Sequence, residues 1–394
     1  MDNKKIYLLF LAVVLCLISF SAVSAQEINS SSDIISQDIS QDDTVGAFRG
    51  YTSFSELSTL INSANESDTI VLDKDYIYHD GDEKYMGGIG ISKMITIDGN
   101  NHTIDASNSA RFFTVSGSNV VLTNINFING AYYDSYYYSE SYSPIYWTGS
   151  GGIISNCQFK NCDGESYDII YWDGNAAKIN NCSFIENSGN NVLNLNSYYG
   201  TVSNSNFMNN HATSIEVNSQ NCDILNSNFI NNTKQSIESN GDDTKVKYCK
   251  FINNTVFENG AAIYWTGARG ILEHSSFMNN SNKNNLGGAV YFSNSNVQVD
   301  NCTFSNNSAL RGGAIYFGYD SYNNAVSNSY FKENNAKYGG AIYWNSQNGR
   351  ITKSKFENNF AMENGVIFWN QPDGKLMIQN FPITGLNGMV ELYT

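Results

Sequence analysis

GGAIYWNSQNGRITKSKFENN, residues 339–359, is the stretch whose recurrence decides the fold. A glycine pair opens it, an apolar burst and a polar turn follow, and it closes on a phenylalanine with an asparagine three residues later. The same unit stands at 312–334, GGAIYFGYDSYNNAVSNSYFKEN, and at 287–307, GGAVYFSNSNVQVDNCTFSNN. Aligned on their phenylalanines, Phe127, Phe159, Phe184, Phe207, Phe229, Phe251, Phe277, Phe304, Phe331 and Phe356 recur at intervals of 22 to 32 residues, and Phe381 follows 25 later. A repeat of this length is read before anything else because it decides the architecture.

Columns emerge around the phenylalanine. Five residues before it stands an aliphatic side chain each time: Leu122, Ile154, Ile179, Val202, Ile224, Val246, Leu272, Val299, Val326, Ile351. Two before it the residue is small after an initial Ile125: Cys157, Cys182, Ser205, Ser227, Cys249, Ser275, Cys302, Ser329, Ser354. One before it the residue is mostly polar. That alternation reads as a short strand with the phenylalanine and the small residue facing inward. Asparagine fills the column three before (Asn124, Asn156, Asn181, Asn204, Asn226, Asn301, Asn328) and the column three after (Asn187, Asn210, Asn232, Asn254, Asn280, Asn307, Asn334, Asn359). Asparagine tolerates left-handed backbone, so both columns are expected at turns. Stacked turns would also let amides bond from coil to coil, as asparagine ladders do.

Such a period suits a leucine-rich solenoid or a parallel β-helix. The LxxLxL rhythm is absent, and β-branched and aromatic runs bounded by Gly, Asn and Ser are strand chemistry. The expectation is an all-β chain, a parallel β-helix of roughly 11–13 coils rising about 4.8 Å each.

Charged residues make up only 15% of the chain, the formal net charge is −15, and no basic run is present, which argues against nucleic acid or anionic lipid as a partner. A surface of amides and hydroxyls fits a secreted polar solenoid. Residues 1–25 read as a signal peptide: Lys4 and Lys5, an apolar run over 6–20, and Val23-Ser24-Ala25 as the cleavage site. A retained membrane anchor is the alternative, though the run is short for a span; no transmembrane segment is expected once the signal is removed. Residues 26–50 read as a disordered linker, and 51–394 as the β-helix. Ser53 and Glu56 form a capping box before Leu57, Leu60 and Ile61 at helical spacing, so a short helix within 51–66 is expected to cover the open N-terminal end. Residues 131–142, AYYDSYYYSESY, read as a loop, and 370–394 as a degenerate terminal coil.

GGA[IV]Y at 287–291, 312–316 and 339–343, with F-x-x-N in eight successive units, resembles the repeats of polymorphic outer-membrane proteins and of the adhesin-like proteins of methanogenic archaea. FSELSTLIN and ITIDGNNHTIDA resemble the opening of the archaeal set. The resemblance implies a right-handed parallel β-helix, surface exposure and adhesion. The outer-membrane barrel or other C-terminal module that usually accompanies such repeats is not found in the sequence.

Catalytic signatures are weak. His79, His102, His211 and His274 occupy different columns, and no metal or cofactor motif stands out. Many parallel β-helices cleave polysaccharides, and the best acidic group is Asp163, Glu165, Asp168 and Asp173, paired carboxylates being suited to glycosidic bonds. No acid column is read through adjacent coils, so a solvated acidic face is the blander account. The GGAIYW column carries more. With Ile263, Val290, Ile315, Ile342 and Ile367 inward beside Trp265, Phe292, Phe317, Trp344 and Trp369, the tyrosines Tyr264, Tyr291, Tyr316 and Tyr343 face outward, and Tyr146 and Tyr171 extend the row. A flat tyrosine stripe suits sugars or a protein partner; strand propensity and stacking alone also account for it, and the opposite register would bury Tyr and expose Trp. Buried free thiols are expected in the small column rather than bridges, with Cys157–Cys182 the pair best placed to bond. Frequent sequons, such as those at Asn181, Asn231, Asn253, Asn279 and Asn301, follow from the Asn/Ser-rich composition and speak only weakly for glycans.

Two functions follow from these readings: a secreted or cell-surface adhesin-like protein that binds glycans or surface proteins without chemistry, or a polysaccharide lyase or glycoside hydrolase on the same scaffold. A purely structural envelope rod is a third. Neither cofactor nor metal is expected, and the oligomeric state is left open.

Overall fold

The computed structural model describes residues 51–131, 143–370, 383–384 and 390–392. The expected signal peptide, the linker, all but the first residue of the tyrosine-rich loop and most of the terminal coil lie outside these residues. Within them the chain is a parallel β-helix. Three sheets of fourteen, thirteen and twelve strands run along it, every pairing parallel and nearly every strand three residues long. Each coil contributes one strand to each sheet, matching the coil number read from the repeat.

The phenylalanine sheet runs from Tyr51–Ser53 through Asn228–Ile230 to Ile383–Thr384. Its middle residues point inward and stack. Phe229 and Phe251 lie 4.8 Å apart at 4°, Phe251 and Phe277 4.6 Å apart at 2°, and the pile is unbroken from Phe127 to Phe356. The second sheet carries the aliphatic column. The third carries the Ile-Tyr-Trp strands, with Trp147 on Trp172 at 4.1 Å and Trp344 on Trp369 at 4.7 Å. All five tryptophans and these phenylalanines are buried in one core.

The corner between the aliphatic and phenylalanine strands is a single left-handed residue. Asn124, Asn156, Asn181, Asn204, Asn226, Asn301 and Asn328 hold it with φ between 49° and 54°, as the turn reading requires. The asparagines three after the phenylalanine behave differently. The left-handed residue there is the preceding one, such as Asn209, Asn231, Asn253 and Asn279. The expected turn column is instead fully buried from Asn187 to Asn334 and forms an internal ladder. The Asn254 side-chain amide donates to Asn280 Oδ1 at 2.9 Å and to the Phe229 carbonyl at 3.1 Å, while its own Oδ1 accepts from the Asn232 backbone N–H and side-chain amide. The same amide-to-amide bond links each rung to the next from Asn187 to Asn359. An amide buried in a dry interior is stable only when every donor and acceptor is met, and stacking at the strand repeat meets them all.

The small column has a similar logic. The Ser205 hydroxyl donates to the Ser203 carbonyl and accepts the Cys182 N–H, and Ser275 does the same for Cys249. Six described cysteines are buried and free, including the Cys157–Cys182 pair, as the serine alternation indicates. Burial pushes the Cys162, Cys249 and Cys302 thiols up to about 12. Cys162 stands in the asparagine-ladder column, where its N–H donates to Asn187 Oδ1.

Helix α1, Phe54–Ser63, sits at the N-terminal end with Phe54, Leu57 and Ile61 buried. Ser53 Oγ accepts the Glu56 N–H, the first half of the expected capping box, whereas Glu56 itself pairs with Lys74. Buried Asp82 accepts the Phe54 and Ser55 N–H groups, so a carboxylate meets the positive end of the helix.

A fourth, four-stranded sheet was not foreseen: Ser281–Leu286, Ser308–Arg311, Asn335–Tyr338 and Phe360–Glu363. It belongs to the glycine-pair coils. Gly287, Gly312 and Gly339 take φ of 63° to 71°, turning the chain from this sheet into the Ile-Tyr-Trp strands. The second glycine of each pair lies against neighbouring backbone; a Cβ at Gly313 would overlap the Gly340 carbonyl oxygen.

Candidate functional site

In the third sheet the outer two residues of each three-residue strand point inward, so the middle one must point out. In-register pairing therefore writes a single row: Tyr146, Tyr171, Asn194, Glu216, Glu238, Tyr264, Tyr291, Tyr316, Tyr343 and Phe368. The expected register holds, since Ile and Trp flank the row inside.

The row is not the open tyrosine stripe expected. Tyr146 stacks on Tyr171 at 5.4 Å and 12°, Tyr264 on Tyr291 at 5.2 Å and 13°, Tyr291 on Tyr316 at 5.3 Å, and Tyr316 on Tyr343 at 5.0 Å. Stacked rings cover one another's faces and leave edges outward. In addition, the fourth sheet closes over the C-terminal part of the row. Tyr316 and Tyr343 are only 7% and 9% exposed and form a small cluster with Phe368, Leu286 and Tyr338. The Arg311 guanidinium lies 5.6 Å from the Tyr338 ring and 5.8 Å from that of Tyr343. These two tyrosines are therefore buried beneath the fourth sheet, and Tyr146, Tyr171, Tyr264 and Tyr291 remain half-buried.

Between the two stacks lies a gap of three rungs, Asn194, Glu216 and Glu238. Here an acid column does run through adjacent coils, contrary to the reading from sequence, because Glu216 and Glu238 are direct cross-strand partners. Asp168 joins them. It is buried, and its two oxygens accept from the Asn191 and Asn194 amides at 2.7 and 3.0 Å. The same Asn191 nitrogen reaches Glu216 Oε2 at 2.7 Å. One amide thus bridges two carboxylates, whose oxygens are at most twice that distance apart. On the flank, buried Gln235 donates to Glu258 at 2.9 Å.

Electrostatics follow from this crowding. Burial raises the Asp168 carboxyl above its ordinary range, against the pull of its asparagine donors. Burial and then the Asp168 charge act to raise Glu216, and burial, Glu216 and Glu258 raise Glu238. Tyr264 is raised by burial and by the Glu238 and Glu258 charges. Of the four acids singled out by sequence, only Asp168 is in the gap. Asp163 Oδ1 accepts the Glu165 N–H in a turn, Glu165 is left-handed there, and Asp173 is exposed beyond its strand.

A countable signal for Glu216 and Glu238 exists. The row lies eight residues ahead of the next aliphatic column: Tyr146 before Ile154, Tyr171 before Ile179, Asn194 before Val202, Glu216 before Ile224, Glu238 before Val246, Tyr264 before Leu272. Counting from the preceding phenylalanine also aligns Glu216 with Glu238, at nine residues, but scatters the tyrosines of the row, because in their coils that leg is longer and variable.

Among the described residues no group of three or more His, Cys, Asp or Glu side chains is arranged to hold a metal, and no helix is long and apolar enough to cross a membrane. His102 bonds Asp75 at 3.1 Å and His211 bonds Thr233 at 2.9 Å, far apart in the fold.

With this geometry in hand, the chain can be set beside known proteins. The family model "Right handed beta helix region" matches residues 218–381. Among solved structures, the catalytic domain of a GH87 α-1,3-glucanase in complex with nigerose superposes with a TM-score of 0.57 at 11% identity, covering 89% of this chain and 70% of that one. The Agl-KA catalytic domain gives 0.51 at 16% identity, covering 85% and 69%. PfbA, a surface adhesin of Streptococcus pneumoniae, gives 0.50 at 11% identity, covering 86% and 88%. No curated protein matches the sequence. At these identities the likeness concerns the right-handed β-helix itself.

Proposed function

We propose that the gap between Tyr171 and Tyr264 is a binding slot for a neutral polysaccharide, on a secreted, surface-displayed, adhesin-like β-helix. One observation carries this reading. The end rings of two tyrosine stacks face each other along the row, across a floor of Asn194, Glu216 and Glu238. The slot spans four strand spacings, about 19 Å, room for three or four sugar units. Aromatic faces take the apolar faces of sugars, and carboxylates and amides take hydroxyl donors. Acidic partners fit poorly: in a chain of net charge −15, the floor would set carboxylate against carboxylate with any polyuronate.

A second reading has its own support. Asp168 and Glu216 share the Asn191 amide, and burial raises both toward the protonated form, the condition of a general acid beside a carboxylate in glycoside hydrolysis.

One experiment addresses both readings. The mature chain is presented with a panel of neutral glucans and mannans and with alginate, and both binding and released reducing sugar are measured. Binding of a neutral glycan, weakened at least tenfold by Tyr171→Ala or Tyr264→Ala and without sugar release, supports the adhesin-like reading. Sugar release abolished by Glu216→Gln moves the assignment to a hydrolase. Preferential binding of alginate, or binding indifferent to both tyrosines, sinks the slot.

A further inference from the structure

Both flanks of the acidic gap carry exposed aromatic rings that its floor does not use. One flank is the leg that joins the phenylalanine strand to the Ile-Tyr-Trp strand. From the ladder position to the residue two before the inward Ile or Leu, this leg advances six residues at Cys162–Asp168, four at Asn187–Asn191, three at Asn210–Thr213 and Asn232–Gln235, and seven at Asn254–Ala261. The leg is thus shortest beside Glu216 and Glu238 and swells again one coil later, in the bend at 257–259. The far side of that bend stacks on the fourth sheet, with the Val256 N–H on the Ser281 carbonyl and the Gly260 N–H on that of Leu286. The three-residue leg on its near side is too short to carry an equivalent. Glu258 accepts from Gln235 at the floor, the Asn285 amide donates to the Phe257 carbonyl, and Val256 is buried. The backbone is held on every side, yet the Phe257 ring is 85% exposed.

The other flank is the corner after the Ile-Tyr-Trp strand. An amide shelf runs along it: Asn218 donates to Asn194 Oδ1 at 3.2 Å, and Asn240 to Asn218 Oδ1 at 3.0 Å. Beyond the shelf, in the Asn194 coil, stand Tyr198 and Tyr199, both exposed. Tyr199 takes φ of 60°, in the left-handed seat that Asn221, Asn296, Asn323 and Asn348 hold in later coils. Asparagine suits that conformation and a bulky aromatic residue does not, so packing and turn chemistry do not ask for a tyrosine there. Two coils on, the same corner carries Asp242 and Asp243, both paired with Arg269.

We infer that Phe257 and the Tyr198–Tyr199 pair are outer platforms of the slot: a neutral polysaccharide crosses the row obliquely, from Phe257 over Glu238, Glu216 and Asn194 to the two tyrosines, and is held by an interior stretch rather than by an end. This rests on the slot reading and extends it. Along the row the way is closed by the Tyr171 and Tyr264 rings, so a longer chain continues only over the flanks. Phe257 lies at the Tyr264 end of one flank and Tyr198 at the Asn194 end of the other, which sets the diagonal. Tyr198 is four residues from Asn194, and Gln235, which bonds Glu258, is three from Glu238, so each platform is within roughly 10–13 Å of the floor. The whole path is then on the order of 40 Å, seven or eight sugar units against three or four for the floor alone. Exposed rings with a fixed backbone offer flat apolar faces to sugar rings at little cost in ordering.

The test is a length series on the full chain, with gluco- and manno-oligosaccharides of about three to ten units and affinity read by calorimetry. Chains of about eight units or more are expected to bind at least tenfold tighter than those of three or four, and reducing their ends with borohydride leaves this unchanged. Phe257→Ala and Tyr199→Asn each weaken the long chains at least fivefold and leave the short ones alone, whereas Tyr264→Ala weakens both. Tyr199→Asn melts at least as high as the parent, which separates the loss from misfolding. Equal affinity for short and long chains overturns the inference. So does a Phe257→Ala, Tyr199→Asn double variant that binds long chains like the parent while Tyr264→Ala still weakens them; the slot then stands without its platforms. Failure of every oligosaccharide and of the neutral polymers to bind removes the slot and this inference together.

Discussion

At the scale of single residues, asparagine does two different jobs a few atoms apart. Asn253 is exposed and left-handed, and a glycine could replace it with little loss. Asn254 is fully buried and satisfies four hydrogen bonds across three coils. Asn254→Ala leaves the Asn232 backbone N–H and side-chain amide without their acceptor and removes a donor from the Phe229 carbonyl and from Asn280 Oδ1, and is expected to cost about 3–5 kcal/mol, against under about 1 kcal/mol for Asn253→Gly; chemical denaturation of the two variants checks the contrast. Equal losses would show the ladder to be decorative. The pairing also explains the sequons at Asn231, Asn253 and Asn279. A left-handed asparagine, a ladder asparagine and then a hydroxyl residue spell N-x-[ST] for architectural reasons.

At the scale of elements, three-residue strands have almost no stability of their own and depend on in-register stacking. The glycine pairs show how narrow the tolerance is. Gly312 needs its positive φ, and Gly313 lies against the backbone of the next coil. Gly313→Ala is expected to lower the melting temperature by 5 °C or more, since relieving the clash forces adjacent coils apart. Gly90→Ala, at an outward strand position with open space around it, should leave it within about 2 °C or raise it slightly. A melt in which Gly313→Ala tracks Gly90→Ala would contradict the close approach of these coils. The fourth sheet depends on the same glycines, and it is this sheet that removes Tyr316 and Tyr343 from solvent.

At the scale of the whole molecule, the acidic gap is a local cost borne by the rest of the solenoid. In the folded state Asp168, Glu216 and Glu238 hold their protons at pH values where the unfolded chain has already released them. The folded state then binds more protons, so this contribution is fully present below the ordinary carboxyl values, 3.8 for Asp and 4.5 for Glu, and is lost as pH rises through the raised ones. Glu216→Gln with Glu238→Gln should therefore melt higher than the parent near pH 7 and close to it near pH 4. A parent and double variant that melt alike at both pH values would mean that the gap is better hydrated than its burial indicates. Buried carboxylates raised in this way mark candidate functional positions, and the proposed slot rests on them.

How much was legible beforehand divides along a physical line. Phe229, Ile224 and Ser227 announce their places because the interior is dry and the coil short between aliphatic and phenylalanine columns, so apolarity and size at fixed spacing determine the winding, the register and the buried thiols. Asn254 was legible as a column but not as a core residue, since an amide is acceptable inside only when neighbouring coils supply its partners. Glu216 and Glu238 were hidden for a different reason. They hold one offset, nine residues after Phe207 and Phe229, but stand as single acids in a row that is mostly tyrosine, and they meet Asp168 and Asn191 only when the coils close. Spacing within one coil belongs to the chain; adjacency between coils, and with it the fourth sheet, the stacked tyrosines and the acidic gap, is set by how the variable legs are taken up in three dimensions.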